Sequence, residues 1–97
     1  GYDIVIHDEC AADVKDLAVV EAVLAPHKTG TPAVNLHCAM HSYRTAADVK
    51  QPVEPGTPDS LWFDFLAVQS SGHGPQKPVA ITFVDKAHPI AAGLSDW

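Results

Sequence analysis

The sequence predicts a single α/β domain built on a parallel sheet. Short apolar, β-branched runs alternate with segments of helical periodicity in the order strand, helix, strand, helices, strand. This order is typical of right-handed crossovers between parallel strands. Stretches rich in proline and glycine separate the segments and mark the turns. A length of 97 residues allows one domain with a modest core, so we expect residues 1–97 to form one unit.

The first half of the chain predicts two strands and the helix between them. Residues 2–7 are short, β-branched and largely apolar, which favours a strand covered on both faces. Apolar residues recur at helical spacing over residues 13–24, after two aspartates that suit a helix N-terminus. Residues 32–37 are apolar at nearly every position. We therefore expect this second strand to be the innermost of the sheet.

The second half predicts a helix and a third strand. Residues 39–50 could form a short helix, and residues 51–56 contain too much proline for anything but a loop. A new helix is predicted to begin with Thr57 as its cap and Pro58 at its first position. Its aromatic residues favour a place in the core over a binding surface. Residues 78–85 predict the third parallel strand.

Composition excludes some classes of partner. The net charge is −6, and the six Lys and Arg residues are spread along the chain, so there is no basic stripe for nucleic acid or an anionic membrane. Charged residues interrupt every apolar stretch well before the roughly 20 residues that a membrane span needs. The start does not resemble a signal peptide, which favours a cytoplasmic location.

The two ends of the sequence predict a partial domain. The chain opens on Gly1 without an initiator methionine, directly before the first predicted strand, and stops at Trp97 just after a turn. We expect the domain to be truncated at both ends, with strands missing from the sheet. Open sheet edges favour self-association of the chain.

A candidate site follows the second predicted strand at its carboxyl end, where His37, Cys38 and His41 occur. Open α/β sheets bind their ligands at this edge. The first strand also ends in polar residues, so we expect His7 and Cys10 to approach Cys38. The alternative is a structural role, because free cysteines and single histidines are commonly buried in cores.

Cys38 is a candidate nucleophile, with His37 beside it as a catalytic partner. A strand-to-helix turn would expose the thiol to the N-terminus of the following helix, which favours the thiolate and predicts that Cys38 is more reactive than Cys10. A triad also needs an orienting carboxylate, and none is evident behind His41.

A second hypothesis for the same residues is a metal site. His37 and His41 have the i, i+4 spacing that places two imidazoles on one helical face, and His73 lies in a glycine-flanked loop that could close over them. Three histidines would suit a divalent metal such as zinc. The competing interpretation is that these histidines are structural.

Three segments, in this order and spacing, resemble the ThuA-like (trehalose-utilisation) family of the class I glutamine amidotransferase-like superfamily. They are residues 34–39 around His37 and Cys38, residues 71–74 around His73, and residues 85–94, where Asp85 precedes a His88-Pro89 turn. The resemblance implies a three-layer, flavodoxin-like parallel sheet with helices on both faces. It also implies a role in carbohydrate metabolism, in which the chain binds or acts on a trehalose-type, sugar-like small molecule. The ligand-binding residues it implies are His41, His73, His88 and Asp85.

The sequence departs from the amidotransferase pattern at two places. Cys38 aligns with the amidotransferase nucleophile, but His37 and Ala39 stand where that tight turn prefers glycine. Ile90 stands where the catalytic His-Pro-Glu segment has glutamate. These departures argue against glutaminase activity. They leave open a non-enzymatic alternative, a ligand-binding or interaction module that kept the fold without its catalytic triad.

Overall fold

The computed structural model describes residues 1–48, 50–70 and 72–97. Val49 in the predicted 39–50 helix and Ser71 in the predicted glycine loop lie outside the described residues. The strands and helices are β1 (Val5–His7), α1 (Leu17–Lys28), β2 (Ala33–Asn35) and α2 (Leu61–Leu66). Three short 3-10 turns complete the structure, at His37–His41, Pro58–Ser60 and Pro89–Ala91.

The sheet formed by the described residues has two strands, β1 and β2, which pair in parallel. Val5 is opposite Ala33, and the Leu36 N–H donates to the His7 carbonyl at 2.8 Å beyond the last paired residue. The predicted parallel pairing of the first two strands is thus confirmed. Both strands are shorter than predicted.

The predicted three-layer, flavodoxin-like sheet is wrong. Residues 78–85 form no strand, and so the 32–37 segment is not the inner strand of a larger sheet. Ile81 instead exchanges two backbone hydrogen bonds with Trp97, at 2.6 and 3.1 Å. The backbone groups of Ile81 are therefore satisfied by the C-terminal segment rather than by an edge of the sheet.

Helix α1 begins later and ends later than the 13–24 segment predicted from periodicity. Asp16 caps it, because its carboxylate accepts from the Ala18 N–H at 2.9 Å. The helix continues through Pro26 to Lys28. Pro26 has no backbone N–H, so the last turn lacks the hydrogen bond that this group would donate to the carbonyl four residues earlier. Gly30 adopts a φ of 101°, which favours glycine, and donates to the His27 carbonyl at 3.0 Å.

Helix α2 begins as the sequence predicts. Thr57 and Ser60 form a capping box around Pro58, and Leu61–Leu66 follows directly. The helix ends at Ala67, whose φ of 56° is left-handed. The adjacent 51–56 segment forms neither helix nor strand, as predicted from its prolines.

The core lies between α1, α2 and the 3-10 turn after β2. Its buried apolar residues are Val20, Leu24, Ala39, Tyr43, Trp62 and Phe63. The Trp62 side chain is 1 % exposed, and its indole N–H donates to the Ala39 carbonyl at 2.8 Å. This bond satisfies the polar atom of the largest core residue and ties α2 to the turn that carries the candidate site.

The C-terminal part of the chain contributes little to this core. Residues 72–80 are exposed throughout, and Ala91 is the one buried residue among 72–97. The radius of gyration is 15.3 Å, against about 12.5 Å expected for a close-packed domain of this length. No helix within the described ranges combines the length and apolar character that a membrane crossing needs.

Candidate functional site

The candidate site lies where the loop after β1 meets the 3-10 turn after β2. Ser42, which is fully buried, joins the two segments. Its hydroxyl donates to the Glu9 carbonyl at 2.8 Å, accepts from the Ala11 N–H at 3.0 Å and lies 3.3 Å from the Cys38 carbonyl. The Tyr43 N–H adds a bond to the Ala11 carbonyl at 2.9 Å. These bonds hold the loop that carries Cys10 against the turn that carries Cys38.

An open cleft of about 240 Å³ lies between the loop after β1, the turn after β2 and the 72–73 loop. Its lining residues are Cys10, Ala12, Cys38, His41, Arg44, Gly72 and His73. The ring of His73 lies 4.6 Å from the His41 ring and 5.8 Å from the His37 ring, measured between centroids. The predicted site residues His37, Cys38, His41 and His73 therefore come together, while their functional roles stay predictions.

The His37 imidazole contacts the Cys38 thiol. Its Nδ1 lies 3.2 Å from the Cys38 sulfur. The backbone of His37 has a φ of 37°, a left-handed conformation that costs a non-glycine residue of the order of 1–3 kcal/mol. This conformation ends β2 abruptly and turns the chain into the 3-10 segment. An imidazole and a thiol in contact at an exposed turn form a candidate nucleophile and base.

Cys10 is the second thiol of the cleft, as the convergence of the two strand ends predicts. A hydrogen bond with Cys38 raises the pKa of the Cys10 thiol, with smaller contributions from burial and from the charges of Cys38 and Asp8. Cys10 is exposed and Cys38 is half-buried, so reagents in solution can reach both. Cys38 is thus not a core residue.

His41 is held in its neutral form more strongly than an ordinary histidine. Burial lowers its pKa, and the nearby His73, Arg44 and His37 lower it further by charge repulsion. Its Nδ1 is buried and has no hydrogen-bond partner among the described residues. A neutral ring with the proton on Nε2 is the form that fits both observations.

The geometry does not support the predicted zinc site. His41 and His73 meet edge to face, at an interplanar angle of 69°. A zinc ion needs its nitrogen ligands at about 2.0–2.1 Å in a tetrahedral arrangement. Across residues 1–48, 50–70 and 72–97, no group of three or more His, Cys, Asp or Glu is arranged to hold a metal ion.

Asp85 and His88, also predicted to bind ligand, form a separate turn. The Asp85 carboxylate accepts from the Ala87 N–H at 3.1 Å, and His88 Nδ1 accepts from the Ile90 N–H at 3.2 Å. Both side chains are exposed, and neither is among the described residues that line the cleft. In this structure they stabilise the turn that leads into Pro89–Ala91.

A second histidine cluster, which sequence reasoning did not find, lies beside the core. The buried His7 contacts Glu9 through Nδ1 at 2.9 Å and His27 through Nε2 at 2.9 Å. His27 Nδ1 donates to the Thr31 carbonyl at 2.7 Å, and the Tyr43 hydroxyl donates to Glu9 at 3.0 Å. His7 therefore points away from the cleft, although it ends β1 as the predicted approach to Cys38 requires.

The hydrogen bonds of this buried network specify its protons. The Glu9 carboxylate and the Thr31 carbonyl both accept, so each of the two rings must carry a hydrogen on Nδ1. The bond between the two Nε2 atoms needs one more hydrogen.

The pKa values of Glu9 and Tyr43 are shifted in opposite directions. Burial opposes ionisation of Glu9, but hydrogen bonds from its own backbone, His7 and Tyr43, with the charge of His7, outweigh it and lower the pKa of the carboxyl. Burial, with the bond to Glu9 and its charge, raises the pKa of Tyr43 to about 12. The neutral Tyr43 hydroxyl and the ionised Glu9 carboxylate therefore stabilise each other.

Trp62 and Tyr43 do not supply a stacking surface for a sugar. Trp62 lies in T-shaped contact with Tyr43 at 4.7 Å and with His7 at 5.2 Å, and both Trp62 and Tyr43 are buried. The core placement of the helix aromatics is thus confirmed for Trp62 and Phe63. Any ligand in the cleft must be held by imidazole, thiol and guanidinium groups.

Comparison with protein-family models, curated proteins and solved structures finds no match to this chain. The resemblance of its three short segments to the ThuA-like family therefore stays a prediction. Support for a function therefore comes from the geometry of the cleft.

Proposed function

We propose that the chain binds a sugar-like small molecule in the cleft between the loop after β1 and the turn after β2. The observation that carries this proposal is the convergence of His41, His73, Cys38 and Arg44 on one open cavity. Three of these side chains lie within residues 38–44 and His73 comes from a distant loop, yet they line the same space. Convergent polar groups in a concave site are the usual signature of a ligand site.

The polarity of the lining supports a hydroxyl-rich ligand. A neutral imidazole offers one donor and one acceptor, and the guanidinium of Arg44 offers donors only. Hydroxyl groups of a sugar both donate and accept, so they complement this mixture. The lowered pKa of His41 keeps that ring neutral near pH 7, with the hydrogen on Nε2 as its donor.

The size of the cleft supports a ligand of about one sugar ring. Sites for drug-sized ligands measure about 300–1,000 Å³, and the cleft is smaller, at about 240 Å³. The cleft is also open, so a second ring would extend into solvent. The resemblance to the trehalose-utilisation family is a separate reason to choose glucose and trehalose as probes.

Isothermal titration calorimetry tests the proposal with glucose and trehalose as titrants. We expect weak binding, with a Kd of the order of 1 mM, because few side chains contact the ligand. His73→Ala should weaken binding about fivefold or more, since His73 lines the cleft and is exposed. Lowering the pH from 7 to 5 should weaken binding as well, because protonated imidazoles lose their acceptors.

His88→Ala is the matched control. His88 is an exposed histidine of the C-terminal region, like His73, but it does not line the cleft. Its removal should leave binding unchanged. Failure of both sugars to bind the wild-type chain, or equal effects of the two substitutions, would overturn the proposal.

A second candidate function is an interaction module without chemistry. The observation that favours it is the exposure of large apolar side chains in the C-terminal region, where Val84 is 97 % and Trp97 is 77 % exposed. The two-stranded sheet also leaves strand edges available for pairing. A protein partner, or a second copy of the chain, would remove these groups from water.

Sedimentation velocity at increasing protein concentration tests self-association through this region. A concentration-dependent dimer in the wild type, lost in Val84→Ser and kept in His73→Ala, would favour the interaction module. A monomer at all concentrations, together with sugar binding, would favour the ligand site.

A further inference from the structure

Cys10 and Cys38 line the same cleft, and sugar binding does not require two cysteines there. They lie on different segments, 28 positions apart in the sequence, and both line the cleft. Cys38 is the neighbour that contributes most to the raised pKa of the Cys10 thiol. Both are reachable from solvent, and neither forms a disulfide in this structure.

Hydrogen bonds of the Ser42 hydroxyl hold together the two segments that carry the thiols, and the thiols take no part in these bonds. The Ser42 hydroxyl bridges the residues on either side of Cys10, because it bonds the Glu9 carbonyl and the Ala11 N–H. The same hydroxyl lies 3.3 Å from the carbonyl of Cys38. A disulfide formed here would therefore join two segments that the Ser42 hydroxyl already holds together.

His37 distinguishes the two thiols chemically. Its Nδ1 lies 3.2 Å from the Cys38 sulfur, so a neutral His37 can take the Cys38 proton directly. Cys10 has the nearby Asp8 charge instead, and its pKa is raised by the bond to Cys38. Cys38 is thus the thiol prepared for attack, and Cys10 is the thiol that remains protonated beside it.

We propose that Cys10 and Cys38 form a reversible redox pair, which exchanges with low-molecular-weight disulfides of the glutathione disulfide class. Cys38 is the attacking thiol, Cys10 is the resolving thiol, and His37 is the base for Cys38. This activity is separate from sugar binding and does not rest on it.

The exchange balances in two steps. The Cys38 sulfur gives its proton to His37, attacks one sulfur of the small disulfide and breaks its S–S bond, and the thiolate that leaves takes the proton from His37. The Cys10 sulfur then attacks the Cys38 sulfur of this mixed disulfide and expels the second small thiolate, which takes the Cys10 proton. The two protein thiols are oxidised to one disulfide, and the small disulfide is reduced to two thiols.

The test equilibrates the reduced full-length chain with mixtures of reduced and oxidised glutathione at pH 7, followed by acid quenching and mass spectrometry of the intact protein. We expect a monomer that has lost two hydrogens, with a Cys10–Cys38 cross-link in the peptide map. Cys10→Ser should accumulate one glutathione on Cys38, because the resolving thiol is absent. Cys38→Ser should react at least about tenfold more slowly, because Cys10 lacks the imidazole.

His37→Asn tests the base, since asparagine tolerates the left-handed backbone at this position. We expect it to slow modification of Cys38 about tenfold at pH 7, and His88→Asn, at an exposed histidine outside the cleft, should not change the rate. Circular dichroism of each variant checks that it folds, and the wild-type cross-link decides the pairing by itself.

Three results would overturn the proposal. They are two glutathiones bound to one chain, disulfide-linked dimers in place of the internal cross-link, and no oxidation of the wild type at high glutathione disulfide. Weaker sugar binding in His73→Ala, with the Cys10–Cys38 cross-link still formed in the same variant, would show that the two proposals succeed or fail separately.

Discussion

The chain contains two groups of histidines that differ in how their ring nitrogens are used. In the buried group, His7 and His27 engage both nitrogens with Glu9, Thr31 and each other. In the cleft, the rings of His37 and His41 each lie beside the ring of His73, and the buried His41 Nδ1 has no partner in the described part of the chain. The first group bonds within the protein, whereas His41 and His73 of the second group line an open cleft.

This difference shows that histidine content does not identify a site. Both groups bring together residues that are distant in sequence, and both include a residue at the end of a strand. They are distinguished by burial and by hydrogen-bond partners, since a buried polar group must be paired inside the protein. We therefore expect substitutions in the buried group to change stability and substitutions in the cleft to change binding.

The largest expected effect is the loss of stability in His7→Ala. This change removes one hydrogen-bond partner from Glu9 and one from His27, together with a ring that packs against Trp62 at 5.2 Å. We expect a loss of about 2–4 kcal/mol in the free energy of unfolding. His73→Ala should change it by less than about 0.5 kcal/mol, because His73 is exposed. Urea denaturation followed by circular dichroism measures both, and equal losses would contradict the comparison.

A smaller effect is expected for the bond between Tyr43 and Glu9. Tyr43→Phe keeps the buried ring and removes only the hydroxyl, which donates to Glu9 at 3.0 Å. We expect a loss of about 1 kcal/mol, and a similar loss for Glu9→Gln. The double variant should lose less than the sum of the two, because they share one interaction. Tyr2→Phe, at an exposed tyrosine, is the control, and strict additivity would argue against the bond.

The same pair predicts how stability changes at low pH. The pKa of Glu9 is lower in the folded chain than its unfolded value of about 4.3, so the folded state favours the carboxylate. Its contribution is fully present above pH 4.3 and is lost as the pH falls through the lower folded pKa. Urea unfolding between pH 6 and pH 2.5 should show a steeper decline in the wild type than in Glu9→Gln. Identical slopes would show that Glu9 is not stabilised by its partners.

At high pH the prediction concerns Tyr43. Its pKa is raised to about 12, above the ordinary value of about 10, so the folded state favours the neutral phenol. This contribution is present below pH 10 and is lost as the pH rises through 12. The absorbance of ionised tyrosine, recorded during alkaline titration, should therefore show one group in the wild type that is missing in Tyr43→Phe and titrates above the ordinary value of about 10.

The smallest expected effect is the titration of His41. Burial and the charges of His73, Arg44 and His37 lower its pKa below the ordinary 6.5. The proton NMR signal of the His41 ring should therefore shift with a midpoint below the ordinary pKa of about 6.5. Removing one of the repelling groups in His73→Ala should move the His41 midpoint upward. A midpoint at or above about 6.5 in the wild type would contradict the environment described for the cleft.

Local sequence signals predicted those features that depend on neighbouring residues. The cap at Thr57 and Pro58 set the start of the helix that becomes Leu61–Leu66, because capping groups act within one turn. The apolar runs predicted β1 and β2 and their parallel pairing. The strand ends then correctly predicted that Cys10 and Cys38 meet, since parallel strands end at the same edge.

Periodicity alone could not predict the boundary of α1. The apolar spacing extends over residues 13–24, but the capping carboxylate that begins the helix belongs to Asp16. Helix α1 also continues past Pro26 to Lys28, although proline cannot donate a backbone hydrogen bond. A local pattern indicates that a helix exists, whereas its ends depend on which groups satisfy the terminal backbone.

By itself, the sequence determined the two strands, the two helices and the polar residues at the strand ends, because these follow from local periodicity and turn chemistry. Only the tertiary structure decided that residues 78–85 bond to the C-terminal segment, that His7 turns inward to His27, and that Asp85 and His88 lie apart from the cleft. The physical reason is that each of these outcomes depends on which distant partner satisfies a strand edge, an imidazole or a carboxylate. A residue's own neighbours in the chain do not specify that partner.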